Sequence, residues 1–206
     1  MTTQAETPRW RRLEPDARRE QILECAVELF GDRPYAAVST TDIANQAGVA
    51  RGLLNHYFGT KRDLYLEVVR RMVLLPSLLE GASAEGPLDE RVERSVEWFL
   101  DTVGAHGKTF VAVVGAEGVG VDPEVEKILA DADDVAARRV LETVGLGEHV
   151  GPRSRAMIRS YGGLVKAAIR EWVREGTLTR EEVHLLLSQA LITIVKDVLP
   201  TIAEER

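Results

Sequence analysis

Four polar side chains that can bond to nucleic acid lie close together between positions 51 and 57. They are Arg51, Asn55, His56 and Tyr57. An arginine can form two parallel hydrogen bonds with the edge of a guanine, and an asparagine can do the same with an adenine. A tyrosine hydroxyl or an imidazole can bond to a phosphate oxygen. This group therefore indicates recognition of DNA, provided that a helix presents it on an exposed face.

The residues before this group predict a short helix that ends in a tight turn. Ser39 is followed three positions later by Asp42, which is typical of a capping box with Asp in place of the usual Glu or Gln. Gly48 stands where a left-handed residue ends a helix, because glycine has no Cβ to clash there. We therefore expect one helix before Gly48 and another directly after it.

The second helix is expected to run from about Ala50 to Phe58. Leu54 and Phe58 are four positions apart, so they lie on one side of the helix and should face the core. The polar side chains then point outward. Two short helices of this kind form a helix-turn-helix, whose second helix enters the major groove of DNA.

This segment resembles the DNA-binding region of the TetR family of bacterial transcriptional regulators. The resemblance covers roughly residues 15–70 and departs from the family pattern at two positions. Ala50 stands where the family commonly has Ser or Thr, which weakens the helix start by about 1 kcal/mol. Asn55 stands where an aromatic residue is common, so the contact made there should differ. The resemblance is carried by the runs Thr40-Thr41-Asp42-Ile43-Ala44, Ala47-Gly48-Val49 and Leu54-Asn55-His56-Tyr57-Phe58-Gly59-Thr60-Lys61.

The motif and the resemblance together predict which residues contact DNA. Thr40 and Lys61 begin helices, where backbone N–H groups also attract phosphate, and Tyr57 is a third candidate for phosphate contact. Arg51 and Asn55 are candidates for base edges. The expected DNA-binding residues, with His56 suited to either role, are Ser39, Thr40, Thr41, Arg51, Gly52, Leu53, Asn55, His56, Tyr57 and Lys61.

Charge is distributed unevenly along the 206 residues, whose net charge is −7. Residues 1–72 hold 11 Lys or Arg against 10 Asp or Glu, whereas residues 73–206 hold 15 against 23. DNA binding needs a local basic face and not a basic protein. The acidic second part is repelled by the duplex, which favours one docking orientation.

We expect an all-α fold with a flexible basic arm at 1–13, a three-helix DNA-binding domain at 14–60 and a ligand-binding and dimerisation domain at 61–206. The arm includes Arg9-Trp10-Arg11-Arg12 and is either a solvated tail or a DNA-contacting arm. Residues 108–121 do not favour one structure. The other helices are expected at about Pro15–Phe30 (ended by Gly31), Lys61–Leu79, Leu88–Ala105, Asp122–Val144, Pro152–Glu175 (ended by Gly176) and Thr179–Leu199. The last of these begins with a capping box of Thr179 and Glu182 and ends before Pro200.

The last predicted helix has two apolar stripes. One contains Val183, Leu187, Ala190 and Ile194, and the other contains Leu185, Ile192, Val195 and Leu199. A helix that packs on a single core needs one apolar face. A second subunit can cover the other face, as the family resemblance also implies, so we expect a homodimer with Leu187, Ala190 and Ile194 in its interface. The alternative is a central core helix.

Aromatic and apolar residues in the second domain together predict a pocket for an unidentified small apolar or amphipathic effector, although any single one of them is more often plain core. Two polar side chains could orient that molecule inside such a pocket. The expected ligand-binding residues are Trp98, Phe99, Thr102, Phe110, Val114, Glu117, Met157 and Tyr161.

Other function classes receive less support. Residues 110–120 resemble a strand and a glycine-rich loop, but the G-x-x-G-x-G spacing is not the dinucleotide pattern and no Lys-Ser/Thr follows. Four scattered His and the single Cys25 predict no metal site and no disulfide, and no cofactor is expected. No run of 18 apolar residues exists and residues 1–12 hold no apolar stretch, so we expect no membrane span, no secretory signal and a cytoplasmic location.

These observations predict a function as well as its alternatives. We expect a ligand-responsive homodimeric repressor that binds a palindromic DNA operator and is released by its effector. The alternatives are a nucleotide-dependent enzyme with a glycine-rich loop and a DNA-binding regulator that needs no ligand.

Overall fold

The computed structural model describes residues 14–74, 85–114, 122–147 and 151–203, and within these ranges the regular elements are all helical. The predicted all-α fold is confirmed. A 3₁₀ turn at Tyr35–Ala37 precedes the second helix. The helices are α1 Pro15–Asp32, α2 Thr40–Gln46, α3 Arg51–Phe58, α4 Lys61–Leu74, α5 Leu88–Val114, α6 Pro123–Thr143, α7 Pro152–Arg170, α8 Arg180–Thr193 and α9 Leu199–Ala203.

Side-chain caps begin α2 and α8 where the sequence predicts them. The Ser39 hydroxyl accepts a hydrogen bond from the Asp42 backbone N–H at 3.1 Å, and the Asp42 carboxylate accepts one from the Ser39 N–H at 3.0 Å. Thr179 and Glu182 form the same reciprocal pair at 3.2 and 2.8 Å. Each box satisfies two N–H groups that the helix itself leaves without partners. The predicted starts of both helices are therefore confirmed.

Two hydrophobic cores hold the helices together. The first lies among α1, α2, α3 and α4, which we call the head, and Val113 of α5 and Val125 of α6 join it. The second lies among α5, α6, α7 and α8, which with α9 we call the body. Its largest fully buried side chains are Leu100, Ile158, Ile169 and Leu187. Helices α5 and α6 contribute buried residues to both cores, so these two helices connect head and body.

Helix α1 does not end at Gly31 as predicted but continues to Asp32. Gly31 instead faces Thr109 of α5 at a distance that leaves no room for a side chain. The glycine therefore permits a close approach of two helices, and its role is not to end one of them.

Helix α5 is longer than predicted, because it continues past Ala105 to Val114. The ambiguous segment is therefore helical over 108–114, while 115–121 lies outside the described residues. Inside α5, His106 has non-helical backbone angles (φ −136°, ψ 27°) and produces a kink. Next to the kink, a Cβ on Gly107 would lie 2.9 Å from both γ carbons of Val173.

Both final helices contain a widened π turn. Helix α7 continues as a π turn over Glu171–Glu175 and ends at Gly176 (φ +66°), as predicted. Helix α8 continues through a π turn at Ile194–Val198 into α9. The predicted end before Pro200 is therefore wrong. Pro200 has no N–H to donate, and the preceding turn is widened so that the Leu199 N–H donates to the Ile194 carbonyl.

The stretch Arg180–Thr201 is long and apolar enough, by length and composition, to cross a membrane. The sequence expectation of no membrane span considered only uninterrupted apolar runs. The helix of a folded core also passes this test, and Val183, Leu187 and Leu191 of this stretch pack in the second core. We therefore interpret it as a core helix with an apolar outer face.

Candidate DNA-binding surface and effector cavity

Helix α3 has one buried face and one exposed polar face. Leu54 is 0% exposed and Phe58 is 7% exposed, and both pack in the first core. Arg51, Asn55 and His56 are exposed. Gly52 is also exposed, whereas Leu53 and Tyr57 are half-buried. The spacing argument from the sequence therefore predicted the orientation of this helix correctly.

Glycines in the left-handed region shape both ends of this motif. Gly48 has φ +62°, and the Val49 N–H after it donates to the Ala44 carbonyl at 2.9 Å. Gly59 has φ +73°, and its N–H donates to the Asn55 carbonyl at 2.9 Å. A side chain at either position would be strained. The two turns fix where α3 begins and ends relative to α2 and α4.

The start of α2 carries three hydroxyl side chains. Ser39 and Thr41 are exposed and Thr40 is half-buried. The hydrogen bonds from Ser39 hold the pKa of the Asp42 carboxyl below its ordinary value. Arg33 lies 3.7 Å from the same carboxylate. This helix start is thus rigid while its first hydroxyl groups remain accessible.

Lys61, the first residue of α4, is held by a residue that the sequence analysis missed. Its ammonium donates to the Tyr35 carbonyl at 2.5 Å and lies 4.0 Å from the centre of the Tyr35 ring. Desolvation lowers the pKa of Lys61. Tyr35 in turn packs against Phe30 and Tyr65. An ammonium has three donors, so Lys61 can bond to a phosphate while it keeps this contact.

An ion-pair network joins α4 to the start of α6. Arg62 donates to both carboxylate oxygens of Asp122, at 2.8 and 3.0 Å, and to Glu124 at 3.0 Å. Arg70 donates to Glu124 at 3.1 Å. Asp122 also caps α6 by accepting from the Glu124 N–H at 2.9 Å. The Arg62 bonds hold the pKa of Asp122 below its ordinary value. The sequence predicted this helix start but not the partner of Asp122 in α4.

A mostly apolar cavity of about 140 Å³ is lined by residues of the body and by Val73 of α4. Four of the predicted ligand-binding residues line it, namely Phe99, Phe110, Val114 and Tyr161. Other lining side chains include Val140, Ile158, Val165 and Leu191. Three further predicted residues, Trp98, Thr102 and Met157, do not line this cavity. Trp98 and Met157 each precede a lining residue by one position, which turns them about 100° around the helix. Glu117 lies outside the described residues.

Some of the side chains that line the cavity are charged or polar. Lys166 and Asp133, both on its lining, form an ion pair at 2.7 Å. Arg159, also on the lining, pairs with Asp134 at 3.1 Å. The Tyr161 hydroxyl donates to the Leu187 carbonyl at 3.1 Å, and burial raises the pKa of that phenol. The cavity therefore combines apolar walls with a charged pair.

The structure reverses part of the predicted dimer surface. Leu187 was expected at a subunit interface but is 1% exposed and lines the cavity, so it cannot lie on an outer face. Ala190 and Ile194 are half-buried within the second core. The outer face of α8 instead carries Leu185 and Leu186, which are 61% and 40% exposed. Among the described residues, no group of three metal-ligating side chains is brought together.

Two family models match the chain. The model described as bacterial regulatory proteins, tetR family, matches residues 22–68, which include α2, α3 and part of α4. The model described as tetracyclin repressor-like, C-terminal domain, matches residues 88–194, which include every residue that lines the cavity except Val73.

Known proteins and structures are similar over most of the chain. The HTH-type transcriptional activator FasR of Mycolicibacterium smegmatis is 36% identical over 171 residues, covering 80% of this chain and 76% of FasR. The HTH-type transcriptional regulator EthR of Mycobacterium tuberculosis is 32% identical over 127 residues, covering 58% of this chain and 59% of EthR. A tetR-family regulator from Streptomyces coelicolor has a crystal structure that superposes with a TM-score of 0.75 at 25% identity, covering 90% and 85% of the two chains. These proteins are transcriptional regulators and not enzymes, so the glycine-rich-loop enzyme is wrong.

Proposed function

Because the chain belongs to the TetR family of bacterial regulatory proteins, we propose that it is a ligand-responsive homodimeric repressor. It binds a palindromic operator and leaves it when a small apolar or amphipathic effector enters the body. Regulators of this family bind DNA, typically as dimers with small-molecule effectors. The observation that carries the proposal is the polar outer face of α3, where Arg51, Asn55 and His56 are exposed. Such a regulator acts on the chromosome, so its proposed location is the cytoplasm.

In this proposal residues 14–60 read DNA. Arg51 and Asn55 contact base edges, and the start of α2, Tyr57 and Lys61 contact phosphates. Gly52 and Leu53 lie against the groove wall. A two-fold dimer imposes two-fold symmetry on the operator, which is why a palindrome is expected. The basic arm at 1–13 lies outside the described residues, and we propose no contact for it.

Residues 61–206 provide dimerisation and effector binding. The apolar outer face of α8 supports dimerisation, since only 28% of the most apolar 18-residue window in Arg180–Thr201 is buried within one chain. Two copies of this helix, packed with α7, can cover each other in a four-helix interface. The exposed Leu185 and Leu186 are the proposed centre of that interface, in place of Leu187.

The cavity supports an effector with an apolar body and one polar end. Its walls are aromatic and aliphatic, and the pair Lys166–Asp133 offers both signs of charge at one place. Ligand pockets typically measure about 300–1,000 Å³, whereas this one is about 140 Å³. A larger effector therefore has to move α6 or α7 in order to bind. A ligand shifts an equilibrium only by its difference in affinity for two states, and this movement would create such a difference.

The ion pairs of Arg62 give that movement a route to the DNA surface. Leu129 and Val140 of α6 line the cavity, and Asp122 and Glu124 at the start of α6 bind Arg62, next to Lys61. A shift of α6 would thus displace the start of α4. We propose that this displacement changes the spacing of the two α3 helices in the dimer and so releases the operator.

Binding to an operator library at two salt concentrations tests the DNA-binding part. Arg51→Ala and Asn55→Ala should each relax preference at one base pair per half-site, at a cost of about 1–3 kcal/mol on the best operator. Lys61→Ala should weaken all sequences alike and reduce the salt slope by about one. Arg180→Ala, whose partners Glu97 and Asp101 lie in α5 and not in the head, is the control and should change neither quantity. An unchanged sequence preference in both base-edge variants would refute α3 as the reading helix.

Activation is a second candidate function, because the relative FasR is described as a transcriptional activator. Transcription of the genes beside the operator, measured after deletion of the regulator's gene, separates repression from activation. Deletion of the gene should raise transcription beside the operator if the protein represses, and lower it if the protein activates. A regulator that needs no ligand would show no change in DNA affinity with any effector that binds the cavity.

A further inference from the structure

Polar side chains are few on the cavity lining, and most of them already have partners within the protein. Among the described lining residues they are Ser95, Asp133, Arg159, Tyr161 and Lys166. The other described lining residues are apolar or glycine. A ligand that takes a polar group away from its present partner has to compensate for the broken bond. The groups that are not yet bonded therefore decide which polar end a ligand can have.

The charged side chains of the lining are neutralised by ion pairs between α6 and α7. Lys166 lies 2.7 Å from Asp133, and Arg159 lies 3.1 Å from Asp134. These four side chains are between 34% and 63% exposed, so the pairs lie where the cavity meets solvent. A carboxylate or an ammonium that enters must either break one of these pairs or be buried without a counter-ion, and both events oppose binding. The lining therefore favours an uncharged ligand.

The two hydroxyl groups of the lining differ in what they can offer. The Tyr161 hydroxyl already donates to the Leu187 carbonyl at 3.1 Å. The Ser95 hydroxyl, in contrast, forms no hydrogen bond with a described residue. Other helical hydroxyl groups of the body, such as that of Thr102, donate to the carbonyl four positions earlier. A free serine hydroxyl can both donate and accept, so Ser95 can bond to a hydroxyl or a carbonyl oxygen.

From these observations we propose that the effector is an uncharged molecule with an apolar body and one hydroxyl or carbonyl oxygen, which bonds to Ser95. The inference rests on the function proposed above, because it takes this cavity as the effector site. Ser95 recognises the polar end of the ligand. The pair Lys166–Asp133 excludes charged molecules, because neither of its members has a free charge to offer.

The test measures the binding of four small probes to the full-length protein by titration calorimetry at neutral pH. Benzyl alcohol, ethylbenzene, benzoate and benzylammonium each carry one phenyl ring and differ in the group attached to it. One ring suits the volume, since an apolar cavity of roughly 150 Å³ can hold benzene. Benzyl alcohol should bind, and the two charged probes should bind at least about tenfold more weakly.

Ser95→Ala tests the recognition of the polar end. It should weaken the binding of benzyl alcohol about two- to tenfold, which corresponds to one neutral hydrogen bond, and leave ethylbenzene within about twofold. Ser188→Ala is the matched control. Ser188 is 2% exposed and its hydroxyl has no partner among the described residues, but it does not line the cavity. This variant should bind all probes like the wild type.

Asp133→Asn tests the exclusion of charge. It leaves Lys166 without its counter-ion, so the affinity for benzoate should rise about threefold while that for benzyl alcohol stays within about twofold. Asp131→Asn is the matched control, because Asp131 is an exposed carboxylate of α6 that does not line the cavity. It should leave benzoate binding unchanged. Thermal melting verifies that each variant folds.

Three results would overturn the proposal. The first is the absence of benzyl alcohol binding to the wild type, and the second is benzoate binding that equals or exceeds it. The third is a Ser95→Ala variant that keeps full affinity for the alcohol or loses the alcohol and the hydrocarbon equally.

Operator release is measured separately, with 6-phenylhexan-1-ol and 6-phenylhexanoate as longer probes. An alcohol that binds through Ser95 but leaves operator affinity unchanged would refute the proposed release and leave the ligand class intact. Release by the carboxylate and not by the alcohol would refute the ligand class and leave the proposed function intact.

Discussion

Gly31 of α1 lies so close to Thr109 of α5 that the two helices meet almost backbone to backbone. A Cβ on Gly31 would lie 2.3 Å from the Thr109 hydroxyl oxygen and 3.0 Å from its amide nitrogen. The same hydroxyl donates to the Val27 carbonyl at 2.8 Å, one turn earlier in α1. The buried Thr109 hydroxyl therefore keeps its hydrogen bond only while α1 and α5 remain this close. The contact thus attaches the head rigidly to the body.

Gly31→Ala should therefore destabilise the protein. Overpacking of this kind costs about 1–3 kcal/mol in the free energy of unfolding. Gly52→Ala is the matched control, because Gly52 is also helical and a Cβ there would have nothing within 4 Å. It should stabilise the protein by up to about 1 kcal/mol. Denaturant unfolding measures both changes. Equal stabilisation by both alanines would show that α1 and α5 separate easily.

Ala50→Ser should stabilise the start of α3. Ala50 has the extended backbone of an N-cap residue but no side chain that can accept a hydrogen bond. A serine there can accept from the N–H groups of the first turn, which contributes about 1 kcal/mol. For a domain of this size the melting temperature should rise by about 2–4 °C. Ala50→Val is the control, because valine has no hydrogen-bond acceptor in its side chain and should not raise the melting temperature. A serine variant with the melting temperature of the wild type would contradict the prediction.

Acid should weaken the link between Arg62 and Asp122, and Asp122→Asn isolates that effect. Asparagine still caps α6 but cannot form the ion pair. The pKa of Asp122 is lowered in the folded protein by its bonds to Arg62. Its contribution to stability is therefore complete above the unfolded pKa of about 3.9 and is lost as the pH falls through the lower folded pKa.

Unfolding of both proteins from pH 7 to pH 3 measures this dependence. Wild type should be more stable than Asp122→Asn by a constant difference down to about pH 5, and the difference should shrink below about pH 4. Asp134→Asn removes a carboxylate from a surface pair with Arg159 and is the control. If the difference in the free energy of unfolding grew in acid, it would contradict the conclusion that Arg62 lowers the pKa of Asp122.

Charges on the outer face of α8 should separate the dimer. Leu185→Glu with Leu186→Glu places two carboxylates on the proposed interface and should give monomers in sedimentation experiments. Leu146→Glu is the control, because Leu146 is 38% exposed, close to the 40% of Leu186, but follows α6. It should remain dimeric. A double variant of dimer mass would disprove this interface. Leu187→Glu should instead fail to fold, since its side chain is in the core.

Local signals in the sequence predicted much of this fold. The capping boxes at Ser39 and Thr179, the left-handed Gly48 and the spacing of Leu54 and Phe58 depend on neighbours within four positions. Such interactions are visible in the chain itself. For the same reason the orientation of α3 could be predicted, although its contacts with bases remain predictions.

Relationships between distant residues could not be predicted in this way. The apolar stripes of α8 indicated two covered faces, but not which stripe faces the body, so Leu187 was assigned to the wrong side. Gly31 looked like a helix end, because nothing in its neighbourhood reveals Thr109, 78 positions later. The partner of Arg62 likewise lies 60 positions away. These contacts follow from packing and not from local pattern.

The small volume of the body cavity implies two classes of ligand with opposite effects. A compact apolar molecule that fits the existing 140 Å³ would bind without moving α6, so it would leave operator binding unchanged. By occupying the space it would also exclude the larger molecules that do move α6. Under the proposed mechanism such a compound is an antagonist of induction, and the tightest binder of this cavity need not be an inducer.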